Sequence, residues 1–138
     1  AFVSPAAAVL IGVVAGVLVV WTVMFLERRL RVDDPVGAIA VHGAGGAWGA
    51  LALGLLADGS YGEGWNGVAG PVRGLLFGDA GQLAAQGVGV LANAALVFAL
   101  SFGFFHLVER LMGNRVPPDV EQAGLDMLEM GTDAYPRG

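Results

Sequence analysis

Histidine is the side chain whose charge changes nearest neutral pH, and this chain has 2 of them. His42 is the sharper of the two. It is the only ionisable group in the apolar run 36–57. An ionisable residue so far inside an apolar run faces a bundle interior or a water-filled cavity, not lipid. Two readings stay open: a histidine hydrogen-bonded to a neighbouring helix, and an imidazole lining a conduction path. On a helix, Ala38 lies one turn before His42 and Gly46 one turn after, on the same face. Small residues there leave room for a narrow pore beside the ring, and equally allow close helix packing.

The other polar groups read more simply. Gln82, Gln86, Asn93 and Ser101 fall near one face of a third apolar run, where hydrogen bonding between helices is the expected role. His106 lies within a turn of Glu109 and Arg110, so an interfacial or ion-paired ring is expected there. Asp33-Asp34-Pro35 precedes the His42 run. Asp34 suits an N-cap and Pro35 a first helical residue. A cation-attracting rim is the alternative use of the two carboxylates. There is no cysteine, which excludes disulfides, thiolate metal sites and thiol nucleophiles. No cofactor or metal set is indicated.

These residues must be held by three apolar spans. Of the 138 residues, 56% are hydrophobic and only 14% charged, against about 25% charged in an ordinary soluble domain. Charges cluster outside the runs 6–26, 36–57 and 81–108. At ~1.5 Å rise per residue the first run covers about 30 Å, the thickness of the hydrocarbon layer. The fold class is therefore all-α: a polytopic membrane protein, with a transmembrane region over 1–113 and a polar tail over 114–138. Net charge is −5 with no basic stripe, which excludes a nucleic-acid partner. Gly12 and Gly16, then Gly45 and Gly49, make small-xxx-small pairs, the spacing that lets helices pack closely in lipid. Gly45 and Gly49 are expected against another helix. Trp48 is expected in packing, and Trp21 and Trp65 at the membrane interface.

The run D-D-P-V-G-A-I-A-V-H-G-A-G-G-A-W-G-A-L-A-L-G, 33–54, resembles the second histidine motif of the ammonium transporter (Amt/Mep/Rh) family. The run R-V-P-P-D-V-E-Q-A-G-L-D-M-L-E-M-G-T-D-A-Y, 115–135, is similar to that family's cytoplasmic C-terminal signature. The opening A-F-V-S-P-A-A-A-V-L-I-G-V-V-A-G resembles the start of its antepenultimate helix. The resemblance covers nearly the whole chain. It implies three helices of an eleven-helix bundle, a homotrimer in the cell inner membrane, and passage of ammonium mostly as ammonia. It implies that His42 is one of two pore histidines, with Ala38 beside it. It implies that Gly124, Leu125, Asp126, Glu129, Gly131 and Tyr135 belong to a regulatory tail that docks a trimeric nitrogen-signalling regulator. The partners implied are ammonium or ammonia, the lipid bilayer and the remaining transporter helices.

Some positions depart from the family pattern. Gly37 stands where some members have a further Asp, Met130 where the tail usually has His, and Thr132 where it has an acidic residue. Three spans are also few for the family's pore, so the chain reads as one part of a larger protein or assembly. Other classes are an ammonium sensor of the same fold, and a non-transport membrane subunit binding a cofactor through His42.

Arginine asymmetry orients the spans. Arg28, Arg29 and Arg31 lie between the first two, and Arg110 and Arg115 follow the third. The 58–80 loop has Arg73 against Asp58, Glu63 and Asp79. By the positive-inside rule the first loop and the C-terminus are cytoplasmic and the 58–80 loop is external. The cysteine-free background makes this testable. A membrane-impermeant maleimide applied to intact cells should label Ser60→Cys and leave Arg29→Cys unlabelled; the reverse pattern inverts the topology.

Overall fold

The computed structural model describes residues 2–63 and 69–132. Trp65 and Tyr135 lie outside the described residues. The chain divides into two compact units, Ala1–Ala94 and Ala95–Gly138.

In the first unit, α1 runs from Pro5 to Phe25. The Ser4 hydroxyl accepts from the Ala7 amide at 3.2 Å, and Pro5 opens the first turn. That satisfies one of the donors a helix start leaves unpaired. A π-helical turn, Leu26–Leu30, ends the element. The next element begins as a π-helical segment, Ala38–Ala44, and continues as α2, Gly45–Leu56. It starts later than a Pro35 helix start would place it. Asp34 to Gly37 form a tight turn, with the Gly37 amide donating to the Asp34 carbonyl at 2.9 Å. Gly37 closes that turn at φ 68°, a left-handed conformation that glycine adopts at little cost.

Two short antiparallel strands follow, β1 (Asp58–Glu63) and β2 (Pro71–Arg73), with Asp58 opposite Arg73. The sequence alone reads this stretch as a loop. The Gly74 amide donates to the Ala57 carbonyl at 2.7 Å, which fixes the hairpin to the end of α2. A Cβ on Gly74 would lie 2.6 Å from the Leu55 carbonyl carbon and oxygen, so no other residue fits there without a shift. The Asp79 carboxylate then accepts from the Gly81 and Gln82 amides at 2.8 and 3.3 Å, capping α3, Ala80–Met112.

Among the described residues, three helical elements are long and apolar enough to cross a membrane: Pro5–Leu30, Ala38–Leu56 and Ala80–Met112. They bury little of their own surface. Among the described residues the buried apolar ones are Leu26, Ala40, Ala52 and Ala57. Val9, Leu10, Val13 and Val17 of α1 are all more than half exposed. In water such a surface would be a large unsatisfied apolar patch; in lipid it costs nothing. Close approach of small residues is what joins helices there. Gly45 meets Val19 of α1, whose Cγ2 lies 3.6 Å from an added Cβ. Gly54 meets α3, with the Leu83 Cα 2.8 Å from an added Cβ. Gly12, Gly16 and Gly49 face open space in this chain. The expected contact at Gly45 is therefore present, and Gly49 has no neighbour among the described residues.

The second unit contains the end of α3 and the tail. Gly113, at φ 70°, stops α3. The Glu109 carboxylate accepts from the Asn114 and Arg115 amides at 2.6 and 3.1 Å. A short helix α4, Pro118–Ala123, and a π-helical turn, Asp126–Met130, follow.

The contact at Gly54 gives a test of the packing. Alanine normally improves a helix by about 1 kcal/mol over glycine. At Gly54 the new methyl meets backbone, and overpacking costs about 1–3 kcal/mol. Gly54→Ala should lower the thermal midpoint in detergent, while Gly12→Ala should leave it unchanged or raise it. Equal shifts at both sites would contradict the close approach of α2 and α3.

Candidate functional site

His42 sits in the π-helical segment, close to its junction with α2. Its ring is exposed in this chain, and so are Ala38 and Gly46 on the same face. An added Cβ on Gly46 meets nothing within 4 Å. Ile39, Val41 and Gly43 are exposed as well. The opposite face is occupied. Ala40 is fully buried, and Gly45 lies against Val19. The Trp48 indole Nε1 donates to the Ile11 carbonyl of α1 at 3.0 Å. That bond fixes which way the element faces: α1 takes one side, and His42 is left on the other, flanked by small residues.

Asp34 holds the N-terminal end of the segment. Its carboxylate oxygens accept from the Ile39 and Ala40 amides at 3.1 and 2.9 Å. The residue is 9% exposed. Burial raises its pKa, but the amides of Ala40, Ile39 and Ala38 outweigh that and hold it below the ordinary carboxylate range. The capping expectation for Asp34 is met in substance, with a different geometry. The carboxylate reaches over the Pro35–Gly37 turn to the segment, and Pro35 lies in that turn rather than at the first helical position. Asp34 has both oxygens committed to the backbone, whereas Asp33 is exposed.

The remaining polar residues separate by unit. In the first, Gln82 and Gln86 line a cavity of about 600 Å³ with Phe2, Leu53, Val72 and Asp79. Asn93 is exposed. In the second, His106 is stacked on Phe102, with ring centroids 6.1 Å apart and planes at 5°. Phe102 in turn stacks on Phe98 at 5.8 Å. His106 has no ion pair among the described residues, because the Glu109 carboxylate is turned to the backbone at the helix end. The i, i+4 spacing of Phe98, Phe102 and His106 carries a signal for this stack that the expectation of an interfacial or ion-paired ring did not use. Ser101 is exposed.

The described tail positions are exposed. Gly124, at φ 94°, closes α4, and Gly131, at φ 69°, closes the Asp126–Met130 turn. Leu125, Asp126 and Glu129 lie between them and are exposed. Arg115 pairs with Glu121 at 3.0 Å in a solvent-exposed bridge, a contact that contributes little to stability.

With this geometry in hand, comparison with known proteins gives a consistent answer. The model of the Ammonium Transporter Family matches residues 1–135. Ammonium transporter Amt2 of Archaeoglobus fulgidus is 42% identical over 136 residues, covering 99% of this chain and 29% of that protein. The ammonium transporter of Bacillus subtilis is 34% identical, covering 97% of this chain and 32% of that one. Among solved structures, Sensor Amt Protein matches with a TM-score of 0.71 at 36% identity, over 93% of this chain and 29% of that one. The chain thus spans less than a third of the length of these relatives.

The Asp34 cap yields a pH-dependent expectation. A carboxylate whose folded pKa is lowered adds stability above its ordinary range, and that stability is lost as pH falls through the folded value. At neutral pH, Asp34→Ala should lower the thermal midpoint more than Asp34→Asn, which keeps one acceptor oxygen. The gap between wild type and Asp34→Asn should narrow as pH falls below about 4. Thermal unfolding in detergent across that range checks both; a gap independent of pH would remove the charge from the account.

Proposed function

The chain belongs to the ammonium transporter family, and on that premise we propose that it is the C-terminal part of a protein conducting ammonium or ammonia across the cell inner membrane, with His42 on the conduction path. The observation that carries this reading is the placement of His42. It shares an open face with Ala38 and Gly46, while α1 takes the other side through Trp48 and Gly45. The rest of the relatives' length would supply the helices opposite, including a second pore histidine. The eleven-helix bundle and the homotrimer belong to the same proposal, as does a cytoplasmic C-terminus. The exposed tail residues Gly124, Leu125, Asp126, Glu129 and Gly131, with Tyr135 beyond, then form the docking surface for a trimeric nitrogen-signalling regulator.

Physical chemistry supports the mode of passage. Removing a proton from ammonium near neutral pH costs roughly 3 kcal/mol, for a pKa about two units above 7. Carrying an unsolvated ion to the bilayer centre costs up to ~10 kcal/mol or more. Deprotonation is the cheaper route through a narrow apolar path. A neutral imidazole can both donate and accept a hydrogen bond, so a histidine can order a file of ammonia molecules or pass a proton along. Leucine or phenylalanine at position 42 could do neither.

A second reading, ammonium sensing, is favoured by the structural neighbour, Sensor Amt Protein. Transport and sensing differ in flux. A transporter gives an ammonium-evoked current or ammonia flux in liposomes, and a dedicated sensor gives neither.

In the full-length protein, His42→Ala should abolish or uncouple proton-linked ammonium transport. His42→Glu should retain part of it with altered selectivity, because a carboxyl group can also exchange protons. Ammonium-evoked current in proteoliposomes is the measurement. Unchanged current and selectivity in His42→Ala would return His42 to the role of a packed helix residue.

A further inference from the structure

We propose that Trp48 is a positioning residue for conduction: the bond from its indole N–H to the Ile11 carbonyl sets the rotation of the element that carries His42, and through that rotation which amines pass. This rests on the reading of His42 as a residue of the conduction path. A helix in lipid turns about its own axis unless something directional stops it. Contacts between small apolar residues bring helices close but restrain the angle weakly. Gly45 makes a contact of that kind with α1, with 3.6 Å between an added Cβ and the Val19 Cγ2.

The Trp48 bond differs in kind. Its Nε1 donates to the Ile11 carbonyl at 3.0 Å. Among the described residues no other side-chain hydrogen bond joins α1 to this element. A hydrogen bond weakens steeply once its angle falls below ~120°, so it resists rotation where a methyl contact yields. Hydrocarbon holds no water to take over the indole N–H, which raises the cost of turning away. The other anchor of the element does not do this. Asp34 accepts from the Ile39 and Ala40 amides, so both ends of that cap belong to one stretch of chain, and the cap turns with it. The imidazole has no hydrogen-bond partner of its own among the described residues, and an added Cβ on Gly46 beside it meets nothing within 4 Å. Its position is therefore inherited from the backbone, and the backbone angle is inherited from Trp48.

Small angles matter at the ring. Side chains reach about 5–6 Å from a helix axis, so a turn of about 10° moves the imidazole by about 1 Å. Donor–acceptor distances of hydrogen bonds span only about 0.5 Å, so that turn decides whether the ring bonds a small amine or misses it. A methylated amine is longer than ammonia by one C–N bond, about 1.5 Å. A ring held at one angle therefore favours ammonia, and a ring spread over several angles loses that preference.

The experiment compares ammonium-evoked and methylammonium-evoked currents of the full-length protein in proteoliposomes, with the thermal midpoint in detergent read on the same samples. Trp48→Phe keeps an aromatic ring and removes the donor. It should lower the ammonium current per folded protein about fivefold, the weight of one ordinary hydrogen bond in the population of aligned rings, and raise the methylammonium-to-ammonium ratio. Gly54→Ala disturbs α2 against α3 without touching the bond. It should lower the midpoint and keep the wild-type ratio, because a merely structural loss does not move selectivity. If Trp48→Phe does not fold, benzothienylalanine at position 48 keeps the indole shape with sulfur in place of N–H, and the same rise in ratio is expected. An unchanged ratio in the variant that folds overturns the proposal, and so does an equal rise in Gly54→Ala. His42→Ala separates this from the reading beneath it. If His42→Ala alters the currents and removal of the Trp48 donor does not, His42 lies on the path and Trp48 does not position it. If His42→Ala changes nothing, the path reading fails and the proposal falls with it.

Discussion

Within hydrocarbon there is no water to pair with a free amide or carbonyl, so each backbone polar group must find its partner inside the protein. This constraint shapes every irregular point in the chain. Ser4 closes the start of α1. Asp34 supplies two acceptors to a helical segment that begins at Ala38. Asp79 does the same for α3. At the far end of α3, Gly113 in a left-handed conformation lets the chain leave the helix while its amide donates to the Glu109 carbonyl at 3.1 Å. Even inside α1, the Thr22 hydroxyl donates to the Leu18 carbonyl at 2.7 Å rather than standing free in an apolar surround. Function is built over this accounting. Among the described residues the His42 side chain has no hydrogen-bond partner, while the backbone beside it is bonded from Val41 to Gly37 and from Gly45 to Ala40.

The second organising fact is how little apolar burial holds the helices together. Small residues sit at the contacts, Ala40, Ala52, Gly45 and Gly54, with the two glycines facing Val19 and Leu83. Many of the large apolar side chains are exposed. A soluble protein could not be stabilised this way, because the hydrophobic effect needs area removed from water. In lipid the gain comes from close van der Waals approach and from single directed bonds such as that between Trp48 and the Ile11 carbonyl. Such an interface is thin and specific. It fixes the rotation of α2 about its own axis, and that rotation decides where His42 faces.

The spans were legible because absence of charge over some twenty residues has one common physical meaning, a membrane crossing. The spacing of Ala38, His42 and Gly46 was legible because neighbours four apart lie close on a helix, and all three are exposed. Other features were hidden for definite reasons. The hairpin 58–73 is rich in glycine and lacks the alternation that marks a strand; its pairing depends on Gly74 seating against Leu55. The start at Ala38 was displaced because Asp34 spans a turn closed by Gly37, a tertiary choice that local capping rules do not contain. Gly54 could not be told from Gly49 by spacing, since only the arrival of α3 distinguishes them. His106 looked like a partner for Glu109 because they are near in sequence, yet the carboxylate had helix-end amides to satisfy first.

The π-helical segment Ala38–Ala44 has a consequence for how this stretch tolerates change. Within it the Gly45 amide reaches back five residues, to Ala40, instead of four. A π turn is an α-helix with one surplus residue wound in. Remove one residue from the segment and an ordinary helix can close with its flanks in nearly the same rotation, because the surplus residue was absorbed within one wide turn. A further inserted residue has no such slack, and would turn everything upstream by about 100° relative to Trp48, the angle of one residue on an α-helix. In this stretch the loss of a residue is absorbed, whereas the gain of one acts as a rotation.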